Sequence, residues 1–136
     1  HSDIRSEKII KIKKNKKASM LFYDKEKKIQ VRLEVDCKVN YDNEITKKSW
    51  LKTGHMSRKC YLVDKSPGTK SSTPTSGLKP ELDNFEFTMK QSEEGYKNFT
   101  VIQCKIKKIE WLYLAAKGHR RARFDLQNNK KDWLVP

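Results

Sequence analysis

Ser2, Arg5, Ser6 and Lys8 fall within one short stretch at the front of the chain. Two hydroxyls and two cations at that spacing suit a dianionic phosphate if they surround a helix N-terminus, where backbone N–H groups also point outward. The same four residues also read as a basic surface helix capped by Ser6. Gln30 stands on the polar side of an alternating segment, where by pattern alone it reads as a solvated strand residue. His119, Arg120, Arg121 and Arg123 gather basic groups near the other end. No catalytic acid or base is assigned. Metal chemistry is not expected: His1, His55 and His119 show no ligand spacing to Cys37, Cys60 and Cys104. The odd cysteine count without Cys-x-x-Cys points to a reduced, cytoplasmic protein.

Size and charge bound the rest. The 136 residues fit one domain, 1–136. They carry 31 Lys and Arg against 17 Asp and Glu, a net charge of +14 that favours anionic partners. No apolar run reaches the ~18 residues of a membrane span, so a membrane partner is not expected. No apolar leader is visible at the front.

The elements that must position these residues follow from periodicity. Ser6 caps a helix with Ile9, Ile10 and Ile12 roughly on one side, ending near Asn15. Ala18 to Tyr23 reads as a buried apolar strand. Ile29, Val31, Leu33, Val35, Cys37 and Val39 alternate with polar residues, a strand forming a hairpin with the previous run. A helix is predicted over 43–53, capped by Asp42 or Asn43, with Ile45, Trp50 and Leu51 inward. A second short helix is placed at 57–63. Residues 64–80 are loop formers, and 80–89 is a candidate brief helix, with Phe85 and Phe87 at a strand-like spacing. Alternation resumes over 99–106, breaks at Lys107-Lys108, and returns from Ile109 to Leu114. Lys117-Gly118 turns into a partner strand, 119–126. Strands with short helices and no βαβ rhythm predict a mainly β, α+β protein with an antiparallel barrel or sheet.

The order of parts resembles the pyridoxamine 5'-phosphate oxidase-like superfamily, the FMN-binding split barrels. The resemblance rests on three blocks: His1 to Lys8, Ala18 to Leu33, and Lys108-Ile109-Glu110-Trp111-Leu112 followed by His119 to Phe124. The closing Trp133-Leu134-Val135-Pro136 is similar to the end of that pattern. It implies an antiparallel split β-barrel of the FMN-binding type, here lacking its first strands. Ser2 then falls on a hydroxyl after a strand and Lys8 on a phosphate-binding Lys. Glu7 takes the place of an Arg, for which Arg5 is the nearest substitute. Gln30 falls on a Gln that reaches a flavin held mainly by the other subunit. Leu112 falls on a Trp position, and Arg123 on a flavin-contacting Arg. Trp111 cannot replace that Trp, because neighbouring strand residues face opposite ways.

What the resemblance implies about chemistry is coarser. The cofactor is FMN, and the flavin carries the redox step. Ser2, Arg5, Ser6, Lys8, Gln30, Leu112 and Arg123 are the cofactor candidates. Ser57, His119 and Arg121 are the substrate-contact candidates, on a small molecule. Of the oxidase's phosphate-holding residues over 49–57 only Ser57 matches, and His119 and Arg121 stand in reversed order. The expectation is therefore a divergent flavoprotein, an FMN-dependent oxidoreductase working as a homodimer. Two alternatives stand: a flavin- or haem-binding split barrel without turnover, and a basic nucleic-acid-binding β-barrel. The latter would use Tyr23, Trp111 and Tyr113 as stacking platforms.

Overall fold

The computed structural model describes residues 1–83 and 87–136. Six strands form one antiparallel sheet: β1 (Ser2–Asp3), β2 (Lys17–Asp24), β3 (Ile29–Asn40), β4 (Phe99–Tyr113), β5 (Arg120–Asp125) and β6 (Lys130–Leu134). They run in the order β2-β3-β4-β5-β6, with β1 paired to β4. The sheet does not close. Among the described residues four α-helices accompany it: α1 (Glu7–Lys14), α2 (Glu44–Leu51), α3 (His55–Arg58) and α4 (Met89–Glu93). The mainly β, α+β architecture predicted from periodicity is the one observed.

Contacts divide the chain into two compact units. The first holds His1–Lys14 and Val39–Gln103; the second holds Asn15–Lys38 and Cys104–Pro136.

The first unit is built on aromatic residues. Phe99, fully buried, lies edge-on to Trp50 and to Tyr61, each at 5.1 Å between ring centres. Edge-to-face packing suits the ring quadrupoles. Gly95 runs hard against this cluster: a β-carbon there would meet Tyr61 Cβ at 3.0 Å and the Trp50 ring at 3.3 Å. Asn43, one of the two expected caps, starts α2. Its side chain accepts from the N–H groups of Ile45 and Thr46, and the Thr46 hydroxyl accepts from the Asn43 N–H. Asn43→Ala removes the acceptor for the Ile45 and Thr46 N–H groups. It is expected to lower stability by about 1 kcal/mol, read as a shift in urea midpoint.

Arg58 closes the other end of that helix. Its guanidinium is buried, 4.6 Å above the Trp50 ring, and donates to the carbonyls of Trp50 (2.8 Å) and Thr53 (3.1 Å). It also pairs with Glu93, which accepts from Trp50 Nε1 at 2.8 Å. Carbonyls at and just past the helix C-terminus thus accept from a cation of the next helix.

The second unit is built of strands. β2 and β3 pair from Lys17↔Asp36 to Asp24↔Ile29, the expected hairpin. β4 pairs with β5, and β5 with β6.

Several local expectations are corrected. Ala18 to Tyr23 forms a strand, but an exposed one: Leu21, Phe22 and Tyr23 are each at least half exposed. β2 is the last strand on its side of the sheet path, so apolarity there does not mean burial. Ile10 and Leu51 face solvent rather than the core. The 57–63 helix is α3 followed by a 3₁₀ turn at Lys59–Tyr61. The 80–89 helix resolves into a 3₁₀ turn at Pro80–Leu82 and a separate α4 capped by Thr88. Phe85 lies outside the described residues, whereas Phe87 is buried with Leu62 and Leu82. The pattern missed β6.

The break expected at Lys107-Lys108 is absent, and β4 runs through it as one strand of 15 residues. The alternation does change phase there. Arg32 bonds Glu110, while Cys37 touches Cys104. Five positions along β3 therefore face six along β4, which places one extra residue in β4. Such a bulge turns the strand's faces over without ending it.

Candidate functional site on one face of the sheet

β-strand alternation and register sort the second unit's side chains onto two faces. Tyr23 pairs with Gln30, Leu21 with Arg32, Glu110 with Arg123, Leu112 with Arg121, and Arg123 with Asp132. The Arg32–Glu110 contact joins the two hairpins. One face therefore carries Gln30, Arg32, Glu110, Leu112, Arg121 and Arg123. Four residues singled out in the sequence, Gln30, Leu112, Arg121 and Arg123, share it, although more than 80 positions separate the first two.

The charges on this face are organised around Glu110. Its carboxylate accepts from Arg121 at 2.8 Å and Arg32 at 2.5 Å, and its side chain is only 17% exposed. The Arg121 hydrogen bond, helped by Arg32, holds the Glu110 carboxyl below its ordinary value of 4.5, against the opposing effect of burial. Arg123 reaches Asp132 only at 3.5 Å. Around Glu110 and Asp132 the three guanidiniums outnumber the two carboxylates, so this part of the face is cationic. Leu112 adds an apolar floor and Gln30 a neutral amide.

A pH dependence follows. A carboxyl depressed in the folded state contributes stability that is present above its unfolded value and lost as pH falls through the folded one. The Glu110 network should thus weaken progressively below about pH 4.5, the ordinary glutamate value. Its worth is about 1 kcal/mol once the exposure of Arg32 is discounted. Denaturant midpoints measured from pH 7 to 3 should fall less steeply for Glu110→Gln than for the unaltered chain.

The opposite face is mostly apolar, with Lys131 beside Phe124. Val31, Ile109, Trp111, Ala122, Phe124 and Trp133 line a groove of about 660 Å³, together with Arg123, Lys131 and Asp132. Trp111 stacks near Tyr113 (6.2 Å, 17°) and meets Trp133 edge-on at 6.5 Å. The structure thus puts Trp111 and Leu112 on opposite sides, as strand geometry requires.

The front cluster lies in the first unit and is arranged differently from a ready phosphate site. Arg5 donates to both oxygens of Asp3, at 3.0 and 2.7 Å, and to the carbonyls of Val63 and Asp64. The Asp3 hydrogen bond raises the Arg5 pKa against the opposing effect of burial, helped by the Asp3 and Asp64 charges. Ser2 and Ser6 are buried with their hydroxyls 3.2 Å apart. The Ser6 carbonyl accepts from Ile9 and Ile10 at the start of α1. Lys8 is exposed on the first turn of α1. Of the four, only Lys8 presents its charge to solvent. Arg5 instead clamps the 63–64 backbone to the front turn, a role that residue type and spacing did not announce.

The substrate-contact candidates are separated. Ser57 is exposed on α3 in the first unit, while His119 and Arg121 belong to the second. His119 Nδ1 accepts from the Ala115 N–H at 3.2 Å, so the neutral ring carries its proton on Nε2. Among the described residues there is no group of three or more side chains able to hold a metal ion, and no helix is long and apolar enough to cross a membrane.

Comparison with known proteins bears on this arrangement through structure alone. No family model matches the sequence, and no curated protein does. Among the solved structures that match are two that superpose on nearly the whole chain. One is a pyridoxamine 5'-phosphate oxidase-related, FMN-binding protein from Nostoc punctiforme PCC 73102. It gives a TM-score of 0.72 at 15% identity, over 99% of this chain and 71% of that one. The other is PhzG from Burkholderia lata 383, in complex with tetrahydrophenazine-1-carboxylic acid. Here the TM-score is 0.71 at 16% identity, over 99% of this chain and 66% of that one. The fold is therefore that of the pyridoxamine 5'-phosphate oxidase-like split barrels, with its sheet open in this chain.

The cationic face fits a flavin by the chemistry of its groups. An isoalloxazine needs apolar surface beneath a flat ring, donors to its polar edge, and positive charge where the reduced ring becomes anionic. Leu112, Gln30 and Arg123 are of those three kinds.

Proposed function

We propose that this chain is an FMN-binding flavoprotein and works as an FMN-dependent oxidoreductase on a small molecule. The observation that carries the reading is the gathering of Gln30, Leu112, Arg121 and Arg123 on one sheet face, in a fold shared with an FMN-binding protein. Bound flavin would supply the hydride chemistry. The chain's own groups bind and orient. Arg123, only loosely engaged by Asp132, is the cation for the ring's electron-rich edge. Gln30 donates its amide, and Leu112 packs beneath. Glu110 keeps Arg121 and Arg32 extended across the face rather than free to swing. Arg121 and the Nε2–H of His119 are the donors for an anionic or carbonyl-bearing substrate.

A homodimer belongs to the same proposal. The exposed apolar side chains of β2, Leu21, Phe22 and Tyr23, are the kind of surface that a subunit interface covers.

FMN titration followed by flavin fluorescence tests the reading directly. Saturable quenching with a Kd in the micromolar range or below is expected. A folded protein that leaves the fluorescence unchanged at millimolar FMN would remove it. Turnover is tested separately, by the rate at which reduced flavin in the complex is reoxidised by oxygen or by candidate acceptors.

A further inference from the structure

Cys37 and Cys104 take no part in the proposed flavin face, yet their sulfurs lie 3.7 Å apart. They sit on neighbouring strands, β3 and β4, within the second unit. Both are free thiols. Cys37 is buried and only 4% exposed, whereas Cys104 is exposed. A disulfide needs its sulfurs at about 2.0 Å, with α-carbons about 4.4–6.8 Å apart, and facing residues of adjacent antiparallel strands fall at about 4.5–5.5 Å. Side-chain rotation can therefore close the remaining gap without separating the strands.

We propose that Cys37 and Cys104 form a reversible cross-strand disulfide that staples β3 to β4, driven by low-molecular-weight disulfides of the oxidised-glutathione class. The two thiols have distinct parts. Exposed Cys104 meets the reagent first: its sulfur attacks one reagent sulfur, the reagent's S–S bond breaks, and one small thiol leaves with a proton. Cys37 then attacks Cys104 Sγ in the mixed disulfide and releases the second small thiol with the second proton. Two electrons pass from the protein sulfurs to the reagent, and nothing else is consumed. Burial raises the Cys37 thiol to about 11, with smaller contributions from Cys104 and Asp36. Closure is consequently slow at neutral pH, and its rate should climb about tenfold per pH unit below that value, following the thiolate fraction. The pair is reduced at rest and locks on sustained oxidation, unlike a fast low-pKa sensor.

The staple also has a mechanical consequence. It closes a loop spanning 37 to 104, long enough to restrict the unfolded chain strongly. A rise in Tm of about 5–10 °C is expected on oxidation.

The test uses the full chain carrying Cys60→Ser, which leaves only the two thiols in question. Reduced protein is incubated with oxidised glutathione at several pH values, and separately with diamide. The expected product is a monomer lighter by two hydrogens, with no thiol titratable in denaturant, a higher Tm, and full reversal by dithiothreitol. Two thiols persisting after both oxidants would overturn the proposal. So would a product that stops at the glutathione adduct or crosslinks between chains. In a Cys104→Ser, Cys60→Ser protein, Cys37 should react far more slowly than Cys104 does in Cys37→Ser, Cys60→Ser. Equal rates would refute the assigned order of attack.

Discussion

Replacing Phe99 by alanine is expected to cost about 3–5 kcal/mol, enough to lower Tm by about 10–20 °C. The ring is fully buried and meets Trp50 and Tyr61 edge-on at 5.1 Å, so its removal empties the centre of the first unit's core. Those aromatic neighbours are held from other directions and cannot collapse into the space. Trp50 is tied to Glu93 through its indole N–H and lies beneath Arg58, and the Tyr61 carbonyl accepts from Asn98. Phe99 also pairs with Asp3, so the loss reaches the strand that anchors the front turn. Phe99→Leu retains most of the volume and should cost about 1–2 kcal/mol. Urea unfolding of both variants, followed by tryptophan fluorescence, checks the pair of values. Equal midpoints for Phe99→Ala and the unaltered chain would show that the aromatic cluster does not hold this unit together.

Arg123→Ala carries the second large effect. It is expected to weaken FMN binding about 10–100-fold, the loss of one charge-assisted hydrogen bond worth about 1.5–3 kcal/mol. Stability should barely change, because Arg123 is loosely held by Asp132 in an exposed pair. The informative control lies on the other side of the same sheet. Trp133 is 76% exposed on the apolar face, so Trp133→Ser should leave the Kd within about twofold. If Trp133→Ser abolishes binding and Arg123→Ala does not, the flavin occupies the apolar groove and the face assignment falls. The comparison thus separates where the ligand sits from whether it binds.

Much of the architecture was legible because it depends on local periodicity. Eleven alternating residues from Ile29 to Val39 cannot bury one face except as a strand, and the short polar turn before them requires a hairpin. Asn43 was readable as a cap because its side chain competes for backbone donors next to it in sequence. Burial was less legible. Leu21, Phe22 and Leu51 are apolar and exposed because exposure is set by what lies opposite, which no local pattern contains.

The sites divide along the same line. The sequence's resemblance to a known pattern of parts singled out Gln30, Leu112, Arg121 and Arg123, and strand alternation determined that Trp111 and Leu112 must point apart. Tertiary structure decided that the four share one face, since that depends on the order of strands and on the register between hairpins. It also decided that Arg5 is a clamp and Arg58 a buried cap, because an arginine's role is fixed by the carbonyls and carboxylates that reach it. The meeting of Cys37 with Cys104 was equally out of reach. One extra residue in β4 shifts the pairing by a single position, and that shift turns two unrelated thiols into neighbours.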